Sequence, residues 1–582
     1  MSISAQVQPL KSGQIVRGTI NKIFPNQHAQ VKLGNQVVYA QLEAPLKVGE
    51  SYYFQVDTTG ENIYLKVIKA SQGKANQDSI HHLIQHLNLG SEDMIIHFLQ
   101  RLTSQHIPFS AHQIRQAVTL LSGAENKEVA QQILQRMISL DLPMTEDVFT
   151  ALYTATTEGL SEQLSSLYHF LNSDHSNQTV LSKQINNQIE SLLFQNLNTK
   201  AAMINQILYD VNNHDQRLFQ ILRALGVIEL TQYGTWHSTW KTFSQDYLSN
   251  PTRFIEQLPF QLDLDQVLHS LLSMKEEQQT LMGTANHLLQ RWTNPLINNG
   301  LTTQEFIVFK NEVQQQLVPL LPANHNLAMI HTMQQNDSNI TNLLSMLQTI
   351  ADEQTYQKID HVLLITQNEQ LPDFGAKQLF LNQLKRVLLF TGLNDENNLI
   401  NDQPHQLTAS LKQMLLQYIE QSDTQTSERL QSFVHLLNGL QLQSIYETNH
   451  FIYASIAIPG EKLYLNHDIQ LEFESKKTPD GKINPDFCRI IFILDLSHLR
   501  KTMIDMQIQN RIVSLTIFND DQSIKDYCKV WQPLLKEGLE NLNYQLSNIT
   551  VKPFSNQEKT VSHTETKYTK HTISHEGIDY RI

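Results

Sequence analysis

The spacing of apolar residues changes twice along this chain, and these changes constrain its fold class. Apolar residues alternate over residues 1–69, recur every three or four positions over 79–445, and alternate again over 450–553. A period of two is typical of a half-buried strand, and a period near 3.6 is typical of an amphipathic helix. We therefore predict a multidomain α+β protein, with a small N-terminal β-barrel, a large all-α middle and a C-terminal α+β domain. We expect the last of these to have a mostly antiparallel sheet and one long helix.

The N-terminal region contains five short apolar runs separated by turn-forming residues. The runs cover residues 15–20, 29–33, 37–42, 52–56 and 63–67. Closely spaced strands of this length favour a small closed barrel, because closure removes the unpaired edges that would otherwise aggregate. A polar linker is predicted over residues 70–78.

The middle of the chain, residues 79–445, has the helical period. We predict helices over the following ranges, with loops at residues 335–339 and 394–398: 180–225, 265–292, 303–317, 375–391, 406–421 and 427–445. A weak repeat of 35 residues relates the segment around Leu99 to that around Leu134, with Ser110 and Thr145 as N-caps of the second helix in each copy. Two copies fit either a helical bundle or a solenoid, and we favour the bundle.

The C-terminal region returns to strand periodicity from Phe451. Strands are predicted over residues 452–458, 463–473 and 490–496, the last central and covered on both faces because it is apolar throughout. A hairpin over residues 504–517 and an amphipathic helix over residues 524–542 follow. The final strand changes phase at Ser547-Asn548, which predicts a bulge. We expect the first two strands to extend the sheet formed by residues 487–552.

This order of strand, strand, strand, helix and strand resembles the C-terminal domain of the flagellar hook-length control family. The segment Leu494-Asp495-Leu496-Ser497-His498-Leu499-Arg500 matches the leucines of that family's pattern, but it has Ser497 and Arg500 in place of the usual Pro and Gly. The whole chain also resembles an uncharacterised group of Firmicutes proteins that carry this domain. The resemblance implies a non-enzymatic scaffold that docks on a protein partner, such as an export-gate-like cytoplasmic domain of a type III system. The implied partner-binding residues are Leu494, Leu496, His498, Leu499, Arg500 and Met503.

Composition narrows the classes of partner and compartment. The formal net charge of −14 disfavours nucleic acid as a partner of the chain as a whole, because phosphate contacts need clustered Lys and Arg. Two cysteines in 582 residues indicate a reducing compartment. We see no secretory signal in residues 1–9 and no apolar run long enough for a membrane span. We predict a cytoplasmic protein, although a signal-less type III export route would leave no mark of this kind.

The sequence contains no motif that indicates catalysis, and we predict no enzyme, no cofactor and no metal site. His82 and His86 lie one helical turn apart, which could form a metal pair, but no third ligand is specified, so a solvated helix face is the favoured interpretation. Cys488 and Cys528 could be redox partners, but both lie in apolar patterns and are expected to pack in the core. The adjacent Asp520 and Asp521 are explained by helix capping.

The barrel offers an alternative function, the binding of single-stranded RNA. Residues 1–69 carry seven Lys and Arg against four Asp and Glu, a net charge of +3. Charge and stacking rings are how some barrels of this kind bind RNA. The opposing interpretation, which we favour from sequence alone, is that the aromatic residues fill the core and the lysines serve solubility. The aromatic residues are Phe24, Tyr39, Tyr52, Tyr53, Phe54 and Tyr64.

The last residues of the chain are predicted to form a flexible tail. Residues 555–576 contain few apolar residues and are predicted to be a flexible tether. Residues 577–582 regain alternation. They could add a strand to a sheet edge, but a frayed terminus is the favoured interpretation.

Overall fold

The computed structural model describes most of the chain. The described residues are 10–25, 28–33, 36–42, 46–59, 62–68, 76–90, 92–173, 179–194, 198–228, 232–249, 258–298, 302–321, 333, 340–366, 376–393, 409–447, 450–521 and 523–554. The predicted loops at 335–339 and 394–398, and the predicted tail at 555–582, lie outside these residues.

The N-terminal strands close into the predicted barrel. They are β1 (Gln14–Ile23), β2 (His28–Leu33), β3 (Gln36–Leu42), β4 (Ser51–Thr59) and β5 (Asn62–Val67). The pairs β1–β2, β2–β3, β4–β5 and β1–β4 are antiparallel, and the parallel pair β3–β5 closes the ring. This strand order is that of a five-stranded Greek-key barrel of the OB type. Its core is formed by alternating inward residues such as Ile20, Val31 and Phe54, which are fully buried.

The barrel is joined to the helical middle by a sixth strand. β6 (Phe109–Ser110) pairs with Gln14 and Ile15 at the outer edge of β1. Ile15 and Tyr53 pack in the same apolar cluster as the first helices. We predicted only a turn and an N-cap at these residues, and the cap is present as well. Ser110 accepts a hydrogen bond from the backbone N–H of Gln113, and the Gln113 side chain completes a capping box.

Within residues 76–444, the described residues are mostly helical. The helices are α1 (Asn76–Leu87), α2 (Asp93–Ser104), α3 (Ala111–Gly123), α4 (Lys127–Ser139), α5 (Glu146–Thr157), α6 (Leu160–Ser173), α7 (Val180–Leu193), α8 (Thr199–Asn212), α9 (Arg217–Ala224), α10 (Tyr233–Ser249), α11 (Leu264–Glu276), α12 (Gln278–Asn298), α13 (Thr303–Gln316), α14 (Ile340–Ala351), α15 (Glu353–Thr366), α16 (Ala376–Phe390), α17 (Leu411–Gln421) and α18 (Thr424–Ser444). Short 3-10 helices cover Pro259–Gln261 and Val318–Leu320.

One helical prediction needs correction, because helix α1 begins at Asn76, inside the predicted linker. The predicted helical segment 180–225 consists of the three helices α7, α8 and α9. The breaks fall where Asn198 and Asp215 accept hydrogen bonds from the backbone, so polar side chains end the run despite its helical period. The predicted N-cap at Thr145 is confirmed, because its hydroxyl accepts from the N–H of Val148.

The C-terminal strands form one sheet of seven strands. They are β7 (Ile445–Glu447), β8 (Phe451–Ile458), β9 (Ile469–Lys477), β10 (Ile483–Leu496), β11 (Arg500–Gln509), β12 (Ile512–Phe518) and β13 (Gln545–Lys552), with α19 (Ile524–Glu540) between the last two. Their order in the sheet is their order in the chain, and only the pair β12–β13 is parallel. The predicted extension of the sheet by β8 and β9 is confirmed. So is the predicted bulge, since the register moves from Leu546 to Asn548 opposite consecutive residues of β12.

One face of this sheet packs against the helical middle. Phe492 and Leu494 of β10 lie in the same apolar cluster as residues of α16, α17 and α18, and the rings of Phe492 and Phe380 are 6.1 Å apart. The opposite face carries a small cluster in which Phe554 covers Ile491 and Met503. The predicted central position of β10 is confirmed. The predicted strand at 463–473 begins only at Ile469, because Glu461–Leu463 forms a 3-10 turn that ends at Tyr464 with a positive φ of 60°.

The helical middle contains a buried ion cluster. Lys358 of α15 is fully buried, and its Nζ lies 2.8 Å from Oδ1 of Asp210 and 3.1 Å from Oδ2 of Asp215. Gln206 also donates to Asp210, and Gln184 donates to Gln206. A charge with so little contact with water needs such partners, because an isolated ammonium in the interior would lose its solvation without compensation.

Candidate functional site

The outer face of strands β2 and β3 carries an exposed mixed surface. Gln30 pairs with Tyr39 and Lys32 pairs with Val37 across the two strands, so these four side chains lie on the same outward face. Tyr39 is 67% exposed and Val37 is 47% exposed. Exposed apolar groups that lie together on one face, as Tyr39 and Val37 do, form a surface that is available for contact.

Phe24 extends this surface from the end of β1. Its ring centroid lies 6.1 Å from that of Tyr39, with the ring planes tilted by 38°. Phe24 is 38% exposed, and its backbone N–H donates to the carbonyl of His28, which fixes the loop end against β2. The Tyr39 hydroxyl accepts a hydrogen bond from the Gln30 amide at 3.3 Å. Two rings are therefore positioned side by side with open faces.

Positive side chains flank the two rings. Lys22 pairs with Gln30 through the backbone, and Lys32 pairs with Thr19, so both lysines lie beside the rings and are exposed. His106, in the loop after α2, adds a nitrogen heterocycle next to the barrel. Burial lowers the pKa of His106, and the nearby positive charges of Arg17 and Lys32 lower it further. The surface is therefore electropositive although the chain is acidic overall.

The described carboxylates of the barrel are engaged elsewhere. Glu50 accepts a hydrogen bond from the Tyr52 hydroxyl at 2.5 Å, and Asp57 accepts one from Ser12 at 3.1 Å. Neither lies on the outer face of β2 and β3. We call the set Lys22, Phe24, Gln30, Lys32 and Tyr39 the ring surface. It combines stacking groups, hydrogen-bonding groups and cations without a described opposing carboxylate.

The structure separates the partner-binding residues predicted in the C-terminal domain. Leu494 is half-buried against the helical middle, and Met503 is 6% exposed beneath Phe554 on the opposite face. Leu496 pairs with Arg500 at the turn, where Leu499 is half-buried while His498 and Arg500 are exposed. Arg500 adopts a positive φ of 55°, in a place where the resembled family has Gly. These residues do not form one surface, and their role in binding stays a prediction.

Helix α19 exposes a second, apolar surface. Tyr527, Val530, Trp531 and Leu534 follow one another at helical spacing, and Trp531 is 61% exposed. The helix packs along the edge strand β13, with Ile524 buried and Leu539 half-buried against the sheet. The helix continues through Pro533, where we had considered a break. We call the four exposed residues the α19 stripe.

The remaining candidates for metal binding, redox chemistry and helix capping are histidines, cysteines and aspartates. Among the described residues, no three His, Cys, Asp or Glu side chains are grouped as a metal site would require. Cys488 and Cys528 are free and partly buried, and burial raises the pKa of both thiols. Asp521 accepts a hydrogen bond from the backbone N–H of Ser523, but the Ser523 side chain makes no capping bond. No described helix is long and apolar enough to cross a membrane.

Comparison with known proteins shows that the barrel region is similar to a described domain family. Residues 2–66 match the family model of the TP0910 S1-like domain. Over nearly its whole length, the chain is also similar to a curated Bacillus subtilis (strain 168) protein named "Uncharacterized protein YlqG". The two are 22% identical over 566 residues, which cover 94% of this chain and 91% of the relative. No solved structure matches the chain.

The S1-like barrel contains the ring surface, part of which the sequence already indicated. Phe24, Tyr39, Lys22 and Lys32 were among the charged and aromatic residues noted there. Gln30, Val37 and His106 were missed. His106 has no local signal, because only the packing of α2 beside the barrel places it near Arg17. The interpretation that aromatic residues fill the barrel core holds for Phe54 and is wrong for Phe24 and Tyr39, which are exposed. Tyr53 is buried outside the barrel, against the first helices.

Proposed function

We propose that this protein binds single-stranded RNA through the ring surface of its S1-like barrel. The observation that carries the proposal is the pair of exposed rings, Phe24 and Tyr39, on the strand face that barrels of the OB type use for oligonucleotides. Bases stack on such rings whatever their sequence, since every base has a π-face. The cations Lys22 and Lys32 are placed to neutralise the phosphates that follow the stacked bases.

The surface also sets limits on the mode of binding. Two rings and two flanking lysines contact a short stretch of a few nucleotides, so we expect weak, salt-dependent and sequence-tolerant binding. The likeness to an S1-like domain and the electropositive face support RNA binding at this face. They do not support binding along the whole chain, whose acidic total charge would repel phosphate. The sequence alone disfavoured nucleic acid both for the acidic chain and for the barrel. The exposed rings of Phe24 and Tyr39 and the likeness to an S1-like domain are what support the proposal for this face.

The test is binding of a labelled oligouridylate to the full chain, measured by fluorescence anisotropy at two salt concentrations. Replacing Tyr39 by Ala removes one stacking ring, and we expect an affinity loss of about tenfold, since base–aromatic stacking contributes roughly 1–3 kcal/mol. Lys32→Ala should weaken binding and reduce the salt slope by about 0.7, the value for one phosphate contact on a single strand.

Two matched variants control this experiment. Lys66 is exposed on β5, away from the ring surface, and Lys66→Ala should leave the affinity near the wild-type value. Tyr464 is 74% exposed but lies in the C-terminal domain, so Tyr464→Ala should behave in the same way. The proposal fails if the wild-type chain shows no salt-sensitive affinity tighter than about 100 μM, the weak end of non-specific binding.

We propose protein docking through the C-terminal domain as a second function. The supporting observation is the α19 stripe, because four large apolar side chains exposed at helical spacing are typical of a surface that another element covers. The resemblance to the hook-length control family suggests an export-gate-like cytoplasmic domain as the partner, and a regulatory, non-enzymatic role.

The test measures binding of a purified export-gate cytoplasmic domain to the full chain by calorimetry. Trp531→Glu places a charge in the α19 stripe and should weaken binding at least about tenfold, because aromatic anchors commonly contribute 2 kcal/mol or more. Leu499→Asp probes the turn suggested by the resemblance, and Lys525→Met is the control on the polar side of α19. Loss of binding in Leu499→Asp alone would move the docking site to the turn. No binding by the wild-type chain would remove the export-gate proposal.

A further inference from the structure

A small polar cavity opens between the end of α8 and helix α10. Its volume is about 50 Å³, and its floor is formed by Val180, Leu208 and Val211. Its polar lining is formed by Asn212, His214, His237, Trp240, Lys241 and Ser244. About 10–15 Å³ of such space admits one water molecule, so the cavity has room for a group the size of phosphate.

The buried side chain of Trp240 forms one wall of this cavity. The side chain is fully buried, and its indole Nε1 has no hydrogen-bond partner among the described residues. The indole ring is fixed between the rings of Trp236 and Phe243, whose centroids lie 5.4 Å and 5.2 Å away. An indole N–H can only donate, and leaving it without an acceptor costs about 1–3 kcal/mol. Because Nε1 is also closed to a water molecule, Trp240 is a rigid wall whose ring lies next to whatever enters the cavity.

The two histidines form a stacked pair at the cavity. The ring centroids of His214 and His237 are 4.8 Å apart, and their planes differ by 8°. His214 comes from the loop after α8, where its positive φ of 57° turns the chain back toward α10. Each imidazole can present an N–H donor to the same side of the stack. The stack therefore adds donors from a second element to those of α10.

The remaining charges favour an anion. Lys241 supplies an ammonium group, and no carboxylate lines the cavity. Asp210 and Asp215 follow in the same part of the chain, but both accept from Lys358, and Asp215 also lies 3.6 Å from Arg217. The hydroxyl of Ser244 donates to the carbonyl of Lys241, which leaves donors in the majority around the empty volume.

We propose that this cavity binds a single small oxyanion, a phosphate or sulfate ion or the terminal phosphoryl group of a small ester. The His214–His237 stack and Lys241 donate to its oxygens beside the rigid indole of Trp240. Charge-assisted hydrogen bonds from these groups give selectivity for doubly charged tetrahedral oxyanions over chloride. The site is separate from the ring surface and from the α19 stripe, and it does not depend on either proposed function.

The test is fluorine NMR of the full chain labelled with fluorotryptophan. The four tryptophans are Trp236, Trp240, Trp292 and Trp531, so Trp240→Phe assigns the signal of interest. Adding inorganic phosphate at constant ionic strength should shift the Trp240 signal with saturation, at a dissociation constant of about 1–10 mM, near −3 to −4 kcal/mol. Sulfate should act similarly, whereas acetate and chloride should act weakly. A phosphate monoester that binds as well as the free ion would show that the terminal phosphoryl group is accepted.

Variants of the lining decide between a built site and a general salt effect. His237→Gln and Lys241→Met should each weaken phosphate binding about tenfold, as expected for loss of a hydrogen bond to a charged group. Lys525→Met, on a distant exposed helix, should not change it. An unchanged Trp292 signal checks that each variant is folded. The proposal is overturned if the Trp240 signal does not saturate with phosphate, if chloride shifts it equally, or if Lys525→Met weakens binding as much as Lys241→Met.

Discussion

Replacing Lys358 by Met should lower the free energy of unfolding of the helical middle by about 3–5 kcal/mol, as is typical when one member of a buried ion pair is removed. The reason is the environment of Asp210, which is buried and 2.8 Å from the lysine Nζ. Without the ammonium group, its carboxylate stays in the interior with Gln206 as the one remaining side-chain donor among the described residues. The measurement is the apparent melting temperature, together with hydrogen exchange of α8 and α15.

The destabilisation caused by Lys358→Met should become smaller as the pH falls. Burial raises the pKa of Asp210 to about 6, and the ammonium group of Lys358 acts against this rise. In Lys358→Met the pKa of Asp210 should rise further. A carboxyl whose folded-state pKa lies above its unfolded value takes up a proton first in the folded state, so acidification favours folding. The difference in unfolding free energy between the wild-type chain and Lys358→Met should therefore decrease as the pH falls from about 7.5 to about 5.

An exposed ion pair provides the matched control. Lys200 lies 3.0 Å from Asp265, but their side chains are 48% and 69% exposed. Lys200→Met should change the free energy of unfolding by no more than about 1 kcal/mol. The double variant Lys358→Met with Asp210→Leu should recover part of the loss, because it removes the orphaned charge. Equal destabilisation by Lys358→Met and Lys200→Met would show that the buried cluster is not stabilised in the way described.

Replacing Gly439 by Ala should destabilise the contact between α18 and α5 by about 3 kcal/mol, the upper range for overpacking of a close contact. A Cβ atom at Gly439 would lie 1.9 Å from the carbonyl oxygen of Ala151 and 2.6 Å from the Cβ of Ala155. The first of these neighbours is backbone and cannot rotate away, so the two helices must separate. The measurement is the thermal unfolding midpoint together with hydrogen exchange of α5.

Gly283 in α12 is the control for this prediction. It is also helical, but a Cβ there would meet nothing within 4 Å. Gly283→Ala should stabilise the chain by up to about 1 kcal/mol, because Ala has the higher helix propensity. Both substitutions replace Gly by Ala, but the expected changes in stability have opposite signs. If Gly439→Ala also raised the unfolding midpoint, the close helix contact would be refuted.

The sequence alone determined the elements whose cause is local. The strands of the barrel, the caps at Ser110 and Thr145, and the bulge near Ser547 all follow from periodicity or from hydrogen bonds over a few residues. The extension of the C-terminal sheet by β8 and β9 was also predictable, because their apolar alternation left a face that needed cover. Chain-wide charge does not predict local charge, since the ring surface carries Lys22 and Lys32 within an acidic protein.

Tertiary structure decided which apolar groups are exposed. Val37, Val38, Tyr39 and Ala40 are consecutive and offer no contrast between faces, so only the closure of the barrel turns Tyr39 outward and Ala40 inward. The pattern of α19 predicted burial of its apolar side, but the helix lies along an edge strand and leaves Trp531 uncovered.

Long-range contacts were likewise decided by the fold. Lys358 meets Asp210 across 148 positions of the chain, and Gly439 meets Ala151 across two distant helices. Neither contact leaves a local pattern, because the energy that selects it arises only when separate helices pack together. The stacked His214 and His237 are closer in sequence but belong to a loop and a different helix, so their pairing also depends on how α8 and α10 meet.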